Sequence, residues 1–337
     1  MDNLKQYIEN FLTHIRIEKN YSPQTEQTYR IALNILITFI QKTNLNITDK
    51  NFISNFIMHL RERGNSDNTI ANRLAVLKSF FSWLVKKKII SKGKLPTIEK
   101  YKTTKKIISI PNDDEVNSFI AEIEKEYQMI TDLTSKIQKP GERLKSKRFS
   151  LFRDLTFFSL LTATGLRISE ALNIKLEDIN FNDSSILIFG KGQKERLIFF
   201  SIPKLKKLFN ELLEIRKEYA IDSPYLFISW QRQKNLSARY IQKIIKHYMR
   251  KAKLTNLNYT PHTLRHYYAT RSIENGANIK AISILLGHSN ISTTLKMYFH
   301  ISNKLLKEVF ETLNPFSSIS MSVEEMLSKR YETLVNI

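Results

Sequence analysis

Nine lysines fall between residues 86 and 106 of this chain, with a single acid, Glu99, among them. Gly93 and Pro96 lie in the same stretch and disfavour a continuous helix. Because so much like charge repels itself, we expect an extended linker with phosphates beside it, and a solvated tether is the simpler alternative. The stretch predicts a first domain over residues 1–92, a linker over 93–110 and a second domain from residue 111.

The first 92 residues show helical periodicity only. Apolar residues recur at helical spacing from the N-terminus, and Ser22-Pro23 has the form of a helix start. Thr48 is predicted to cap a third helix that Gly64 ends. The predicted helices cover residues 4–15, 22–41, 48–64 and 67–88.

The second block mixes helices with one predicted β-hairpin. A helix is expected from Asp113, followed by a polar, basic loop over Lys136–Arg148, and Gly165 is expected to end the next helix. The β-rich runs 186–189 and 196–200 flank a Gly-Lys-Gly turn, which is typical of a hairpin. The fold class is therefore mainly α with a small antiparallel β-sheet. Further helices are predicted over 152–164, 203–219, 237–251, 261–275 and 279–286, and from about 293.

Charge and composition limit the classes of function that this protein can have. The 337 residues include 53 lysines and arginines against 32 acids, which gives a net charge of +21, and no cysteine. Such a basic balance is the electrostatic footprint of a nucleic-acid binder, although a generally adhesive basic protein is the alternative. No disulfide or thiolate zinc site is possible. Without a signal-peptide pattern or an apolar run of about 18 residues, we expect a cytoplasmic protein and no membrane.

Two arginines stand at predicted helix starts. Arg167 closely follows Gly165, with Glu170 one turn further on to brace it, and a guanidinium beside free helix amides can hold two phosphate oxygens. His262 and Arg265 share one face of a later helix, so both can meet one phosphate. Each alone has a plainer explanation, an ordinary helix ion pair or a capped surface helix.

Three further polar residues complete the set. Lys191 stands in the glycine-flanked turn, His288 follows Gly287, and Tyr298 comes last. Singly, these residues are typical of a solvated lysine, a capping or core histidine and a half-buried aromatic. Together they suit attack on a phosphodiester without a metal, because the cations replace the charge of a metal ion and help a tyrosine of pKa near ~10 to react. No metal and no cofactor are expected.

The ordered set resembles the tyrosine recombinase (phage integrase) family, which includes the Xer recombinases. The matching motifs are TGLRISE at 164–170, GKGQKERL at 190–197, HTLRH at 262–266 and LGHSNISTTLKMY at 286–298. NYSPQTEQTYR at 20–30 resembles part of the family's helical core-binding domain. The resemblance implies that domain over residues 1–92 and a mixed α+β catalytic domain over 111–313.

The resemblance also implies roles for the site residues. Arg167 and Arg265 would bind the scissile phosphate and stabilise its transition state. Lys191 would be the general acid for the 5′-hydroxyl, and His262 and His288 would assist by hydrogen bonding and proton transfer. Tyr298 would form a 3′-phosphotyrosyl link. Glu170 would support Arg167.

The implied partners are double-stranded DNA at a specific recombination site and three further copies of the chain in a homo-tetramer. A second, different recombinase is also compatible with the pattern. Residues 314–337 form a predicted C-terminal helix, opened by Ser322-Val-Glu-Glu325, that would dock on a neighbouring subunit or fold back on its own domain. Candidate DNA contacts are Tyr29, Arg73, Lys86, Lys87, Lys88, Lys105, Lys106, Lys194 and Arg196.

Two other classes of function stay open, a topoisomerase and a non-catalytic regulator. Among recombinases, the choice between moving a mobile element and resolving dimers also stays open. A type IB topoisomerase shares this chemistry but relaxes one duplex, and a non-catalytic regulator would not need all six polar groups. His288 and Tyr298 are ten residues apart, a spacing that favours mobile-element integrases over Xer-type members. The expected absence of an arm-binding domain instead favours resolution of chromosome or plasmid dimers.

Overall fold

The computed structural model describes residues 2–103, 110–190, 195–254 and 259–287, together with residues 307, 310–312 and 314–318. Contacts divide the chain into two compact units, Met1–Ile107 and Ile108–Ile337. No helix in the described ranges has the length and apolar character needed to span a bilayer.

The first unit is a bundle of four helices around an aromatic core. Ser22 caps the second helix through its side chain, which accepts a hydrogen bond from the backbone N–H of Thr25, and Pro23 occupies the first turn as predicted. The core aromatics include Phe11, Phe39, Phe56, Phe80 and Trp83. The helices are α1 (Asp2–Ile17), α2 (Pro23–Thr43), α3 (Phe52–Glu62) and α4 (Asp67–Lys86).

The prediction that Thr48 caps the third helix is wrong, because α3 begins four residues later, at Phe52. The Asn46 side-chain oxygen accepts from the backbone N–H of Thr48 at 3.1 Å and from its hydroxyl at 2.9 Å. Asp49 closes the same turn by accepting from the backbone N–H of Asn46 at 2.7 Å. The threonine hydroxyl is thus used inside a local turn, as short polar side chains commonly are.

The beginning of the basic stretch is not a free tether, since its apolar residues pack on the first unit. Ile98 is 7% exposed within that core. The Tyr101 hydroxyl donates to Asp67 at 3.1 Å and accepts from Arg61 at 2.9 Å, which fixes the segment at the start of α4. Lys105 and Lys106 lie outside the described residues.

The second unit is built around one buried helix and a three-stranded antiparallel sheet of order β1-β2-β3. Nearly every side chain of α6 from residue 148 to 164 is buried. The hairpin is confirmed, and the short strand β1 was not predicted. The elements are α5 (Asp113–Ser135), α6 (Glu142–Thr164), α7 (Ile168–Leu172), β1 (Ile179–Asn180), β2 (Ser185–Phe189), β3 (Glu195–Phe199), α8 (Pro203–Glu218), α9 (Ala238–Lys251), α10 (Pro261–Glu274) and α11 (Ile279–Leu286).

The predicted loop Lys136–Arg148 is wrong over its second half, where α6 already begins at Glu142. Arg148 is buried and donates to Glu218 at 3.0 Å and to the Tyr219 hydroxyl at 2.8 Å. A basic residue that suggested solvent exposure therefore has partners on and just after α8, which hold this end of the helix.

A second ion-pair group joins α5, α6 and α9. Lys147 lies 2.6 Å and Lys251 lies 2.5 Å from the carboxylate of Glu126. Burial raises the pKa of Glu126, but hydrogen bonds and charge from the two lysines outweigh it and lower that pKa to about 2. The carboxylate therefore stays ionised at neutral pH, and the basic segment is tied into the fold.

The segment that leads to the C-terminal tail packs on the second unit. The side-chain amide of Asn314 donates to the backbone carbonyl of Ala163 in α6, and Phe316 is fully buried in the core. The predicted helix over 314–337 thus starts with residues held by their own unit. The rest of that prediction, residues 319–337 with the capping box at Ser322, falls outside the described residues.

Candidate active site

Gly165 brings the end of α6 against α10 and α11. It lies at φ +61°, a left-handed conformation that glycine adopts without strain. A Cβ added there would lie 2.5 Å from Cδ1 of Tyr268 and 2.7 Å from Cδ2 of Leu286. The close approach therefore requires glycine, and it places the turn that carries Arg167 beside the helix that carries Arg265.

Arg167 pairs with Glu170, as the spacing predicted. The backbone N–H of Arg167 donates to one carboxylate oxygen at 2.9 Å, and its Nη1 donates to the other at 2.8 Å. The carboxylate side chain is 5% exposed, whereas that of Arg167 is 35% exposed. Arg167 is thus anchored on one side and open to solvent on the other.

Arg265 is the buried arginine of the site, at 7% exposure. Its Nη1 donates to the carbonyl of Gly165 at 2.9 Å and its Nη2 to that of Leu286 at 2.5 Å. Burial, reinforced by the charge of Arg167, lowers the pKa of Arg265 to about 10. An anion bound here would raise the pKa of Arg265 again, since a nearby negative charge favours the charged guanidinium.

Arg196 joins the same group, although the sequence suggested a DNA contact. Its Nη2 and Nη1 donate to the two oxygens of Glu170 at 2.7 and 3.1 Å, and its Nε donates to the carbonyl of Leu285 at 2.8 Å. Its side chain is only 10% exposed. Three of the five guanidinium N–H groups of Arg196 are therefore used within the protein, and contact with DNA stays a prediction.

The alternation of side chains along β3 is a sequence signal for this placement of Arg196. Side chains alternate between the two faces of a strand, so Arg196 shares a face with Ile198. In the sheet, Arg196 pairs with Ile188 and Ile198 pairs with Ile186, and all three isoleucines are buried. Alternation alone therefore predicts an inward-facing Arg196, which needs a partner in the protein.

The three arginines meet at the C-terminus of α11. Carbonyls in the last turn of a helix lack intrahelical partners and carry the negative end of the helix dipole. Guanidinium groups supply these partners and so hold the turn directly before residue 288. The carbonyls of Leu285, Leu286 and Gly287 accept, in that order, from Arg196 at 2.8 Å, Arg265 at 2.5 Å and Arg167 at 3.3 Å.

The arginine cluster, defined as Arg167, Arg196 and Arg265 with Glu170, has a surplus of positive charge. Burial raises the pKa of Glu170, but Arg196 and then Arg167 outweigh it, so that the pKa lies below its ordinary value. Three guanidinium groups therefore face one ionised carboxylate. Within the described ranges, no group of three or more acidic or histidine side chains could hold a metal ion. The cluster is suited to an anion such as a phosphodiester.

The remaining predicted catalytic residues are only partly described. His262 is exposed in the first turn of α10, three residues before Arg265. Phe189 pairs with Glu195 at the ends of β2 and β3, and Lys191 falls between these two residues in the sequence. Lys191, Lys194, His288 and Tyr298 lie outside the described residues.

The predicted DNA contacts of the first unit differ in exposure. Tyr29 is half-buried, and its ring centroid lies 6.0 Å from that of Phe11 and 5.8 Å from that of Tyr21. Arg73 is half-buried with one guanidinium nitrogen, Nη1, buried and without a hydrogen-bond partner. Lys86, Lys87 and Lys88, at and just after the end of α4, are exposed.

Comparison with known proteins decides the family. The sequence profile of the phage integrase family matches residues 144–304, and that of the phage integrase N-terminal SAM-like domain matches residues 8–88. Tyrosine recombinase XerD of Staphylococcus epidermidis is 32% identical over 91% of this chain and 98% of its own length. The chain belongs to the phage integrase family. The resemblance inferred from its four motifs is confirmed, and the chain is a tyrosine recombinase.

Other family members extend this likeness to sequence and fold. XerD of Staphylococcus aureus is 29% identical over 93% of this chain and 99% of its own length. XerH bound to a palindromic difH substrate, in a post-cleavage complex, superposes with a TM-score of 0.64 at 22% identity, over 89% of this chain and 82% of that one. A lambda integrase dimer bound to a core site gives a TM-score of 0.60 at 16% identity, over 85% and 94% of the two chains. The mainly α fold with a small antiparallel sheet is that of phage integrases.

Proposed function

We propose that this tyrosine recombinase cuts and rejoins DNA at a specific site through a 3′-phosphotyrosyl intermediate on Tyr298. The observation that carries the proposal is the arginine cluster, which has an excess of positive charge and binds the carbonyls in the last turn of α11. His288 is the next residue along the chain, and Tyr298 follows it in the same motif. A cationic site of this kind suits the charge of a phosphodiester in its transition state.

The proposed reaction exchanges one phosphoester for another. The Tyr298 oxygen attacks the phosphorus while Arg167 and Arg265 stabilise the charge on the non-bridging oxygens. The bond from phosphorus to the 5′-oxygen breaks, and Lys191 donates the proton that this oxygen needs. The phenol proton passes to His262, His288 or solvent. Rejoining is the reverse attack by a 5′-hydroxyl, so neither ATP nor a metal is needed.

The proposed partners are duplex DNA and further copies of the chain. XerH is bound to its difH substrate, and a lambda integrase tetramer is bound to a Holliday junction, in the solved structures of those proteins. For this chain we propose a homo-tetramer on paired sites and a Holliday-junction intermediate, in the cytoplasm. In the first unit, Tyr29 and Arg73 are proposed to contact bases, and Lys86–Lys88 to contact phosphates.

A recombinase and a type IB topoisomerase make different products from the same plasmid. An assay of these products therefore distinguishes the two functions. The DNA site is first mapped by sequencing DNA that is covalently trapped on the protein in its own genome. A supercoiled plasmid with two direct copies of that site should then be resolved into two circles, and a plasmid without the site should be untouched. Relaxation of both plasmids without resolution would favour the type IB topoisomerase.

The proposed role of Lys191 predicts a chemical rescue. A substrate with a 5′-bridging phosphorothiolate has a leaving sulfur that needs no proton, so Lys191→Ala should cleave it at nearly the wild-type rate. On ordinary DNA the same variant should be slower by about 10²–10⁴-fold, the usual contribution of general acid catalysis. Single-turnover cleavage on both substrates measures the effect. An equally large defect on the phosphorothiolate would remove Lys191 from this role.

A further inference from the structure

Arg196 makes three hydrogen bonds in the cluster, yet the reaction proposed above assigns it no step. Two of its nitrogens bind Glu170 and the third binds the carbonyl of Leu285. A Cβ added at Gly287 would lie 2.9 Å from Nη1 of Arg196 and 3.1 Å from its Cζ. The guanidinium thus lies against the backbone of the residue directly before His288.

The hydrogen bonds of Glu170 show what Arg196 does. One carboxylate oxygen accepts from Nη1 of Arg167 at 2.8 Å and from Nη1 of Arg196 at 3.1 Å. The other accepts from the backbone N–H of Arg167 at 2.9 Å and from Nη2 of Arg196 at 2.7 Å. The carboxylate is thus shared equally, and only one of the five guanidinium N–H groups of Arg167 is committed to it.

Without Arg196, this balance would be lost. Glu170 is almost fully buried, so its charge would have Arg167 as its remaining cationic partner within hydrogen-bond reach. A buried carboxylate with one arginine favours a bidentate pair, which would turn Arg167 away from the phosphate and cancel its charge. The carbonyl of Leu285 would also lose its donor at the turn before His288.

We propose that Arg196 is a positioning residue for strand cleavage, which holds Glu170 and the last turn of α11 so that Arg167 stays open to the scissile phosphate. This inference rests on the proposed function. It also gives β3 a role in the site, because Arg196 is the second residue of this strand. Strand β3, the arginine cluster and the last turn of α11 are thus linked through one side chain.

The first test measures the rate of DNA cleavage and the affinity for DNA separately. Single-turnover cleavage of a nicked suicide substrate and half-site affinity are measured for wild type, Arg196→Gln, Arg196→Lys and Lys206→Gln. Lys206 is exposed on α8, so its variant controls for the loss of one positive charge. We expect Arg196→Gln to cleave about 10²-fold more slowly, the effect of a small misplacement at a reacting centre, with affinity within about threefold. Arg196→Lys should recover little, because one ammonium cannot reach both acceptors.

The second test distinguishes positioning from general support of the fold. If Arg196 acts by restraining Glu170, then neutralising that carboxylate should release Arg167. The double variant Glu170→Gln/Arg196→Gln should therefore cleave at least fivefold faster than Arg196→Gln alone. Losses that simply add, or a rate that falls in parallel with affinity and thermal stability, would overturn the positioning role.

The outcomes also separate this inference from the function on which it rests. If wild type forms no adduct at Tyr298, the proposed function fails. If wild type forms the adduct and Arg196→Gln cleaves at the same rate, the reaction stands and only the role of Arg196 is refuted.

Discussion

Tyr298→Phe should form no covalent adduct with a nicked suicide substrate, while it binds the same DNA as tightly as wild type. The change removes one oxygen atom, and the proposed reaction has no other nucleophile. Loss of the adduct should therefore be complete, whereas charge and shape are unchanged. Denaturing electrophoresis of labelled DNA measures the adduct, and a gel-shift titration measures binding.

Two tyrosines next to His266 in the HTLRH motif are alternative nucleophiles, and the structure argues against both. Tyr267 and Tyr268, on α10 with Arg265, are 0% and 1% exposed. Burial raises the pKa of both hydroxyls above the ordinary value, and the Tyr267 hydroxyl donates to Asp113 at 2.8 Å. Tyr267→Phe is therefore a matched control that should keep the adduct, with a stability loss of about 1 kcal/mol. An adduct that persists in Tyr298→Phe would refute the assignment.

Sequence reasoning predicted those elements whose signals are local. Ser22 with Pro23 marks the start of α2, and Gly165 marks the end of α6, because a cap or a left-handed turn depends on a few adjacent residues. Thr48 shows the limit of such reasoning. Its hydroxyl had two possible local uses, and the neighbouring Asn46 determined which one formed.

The surroundings of a charged residue could not be predicted where its partner is far along the chain. Arg148 looked like part of a solvated basic loop, yet Glu218 and Tyr219, about 70 residues away, bury and bind it. Arg196 was predicted only as a DNA contact, and its hydrogen bonds to Glu170, 26 residues away, could not be predicted from the sequence. Charged residues are exposed on average, so a basic composition predicts a solvent-exposed segment. A charged residue can nevertheless be buried when it pairs with an opposite charge from a distant part of the chain.

In the arginine cluster, too, local features could be predicted from the sequence and contacts between distant residues could not. The motifs identified Arg167 and Arg265 as functional candidates, and the spacing predicted the Arg167–Glu170 pair. Spacing could not reveal that both arginines bind the last carbonyls of α11, because Leu286 lies 119 residues from the first and 21 from the second. Those carbonyls connect the cations to the segment that carries Tyr298.

Arg265→Lys should slow cleavage by about 10²–10³-fold, the usual effect of removing a preorganised donor from a developing charge. Arg265 donates through two nitrogens to the carbonyls of Gly165 and Leu286, which leaves its other N–H groups for a phosphate. A lysine offers one point of charge in place of this planar fork. Half-site affinity should fall only a few-fold, because most binding comes from phosphate contacts elsewhere.

The pH dependence of Arg265→Lys gives the sharper test. Burial and the charge of Arg167 lower the pKa of Arg265 from 12.5 to about 10. The same burial and the charge of Arg167 would lower the pKa of a lysine at this position below its ordinary ~10.4. The introduced lysine would lose its charge at a lower pH than an exposed lysine does, so the ratio of wild-type to variant cleavage rate should widen as pH rises from 6.5 to 9. Taking the ratio cancels titration of groups common to both proteins. Arg167→Lys, at the more exposed position, is the matched control and should show a flatter ratio. A ratio for Arg265→Lys that stays constant with pH would contradict the prediction that the site lowers the pKa of a cation at residue 265 and needs its charge.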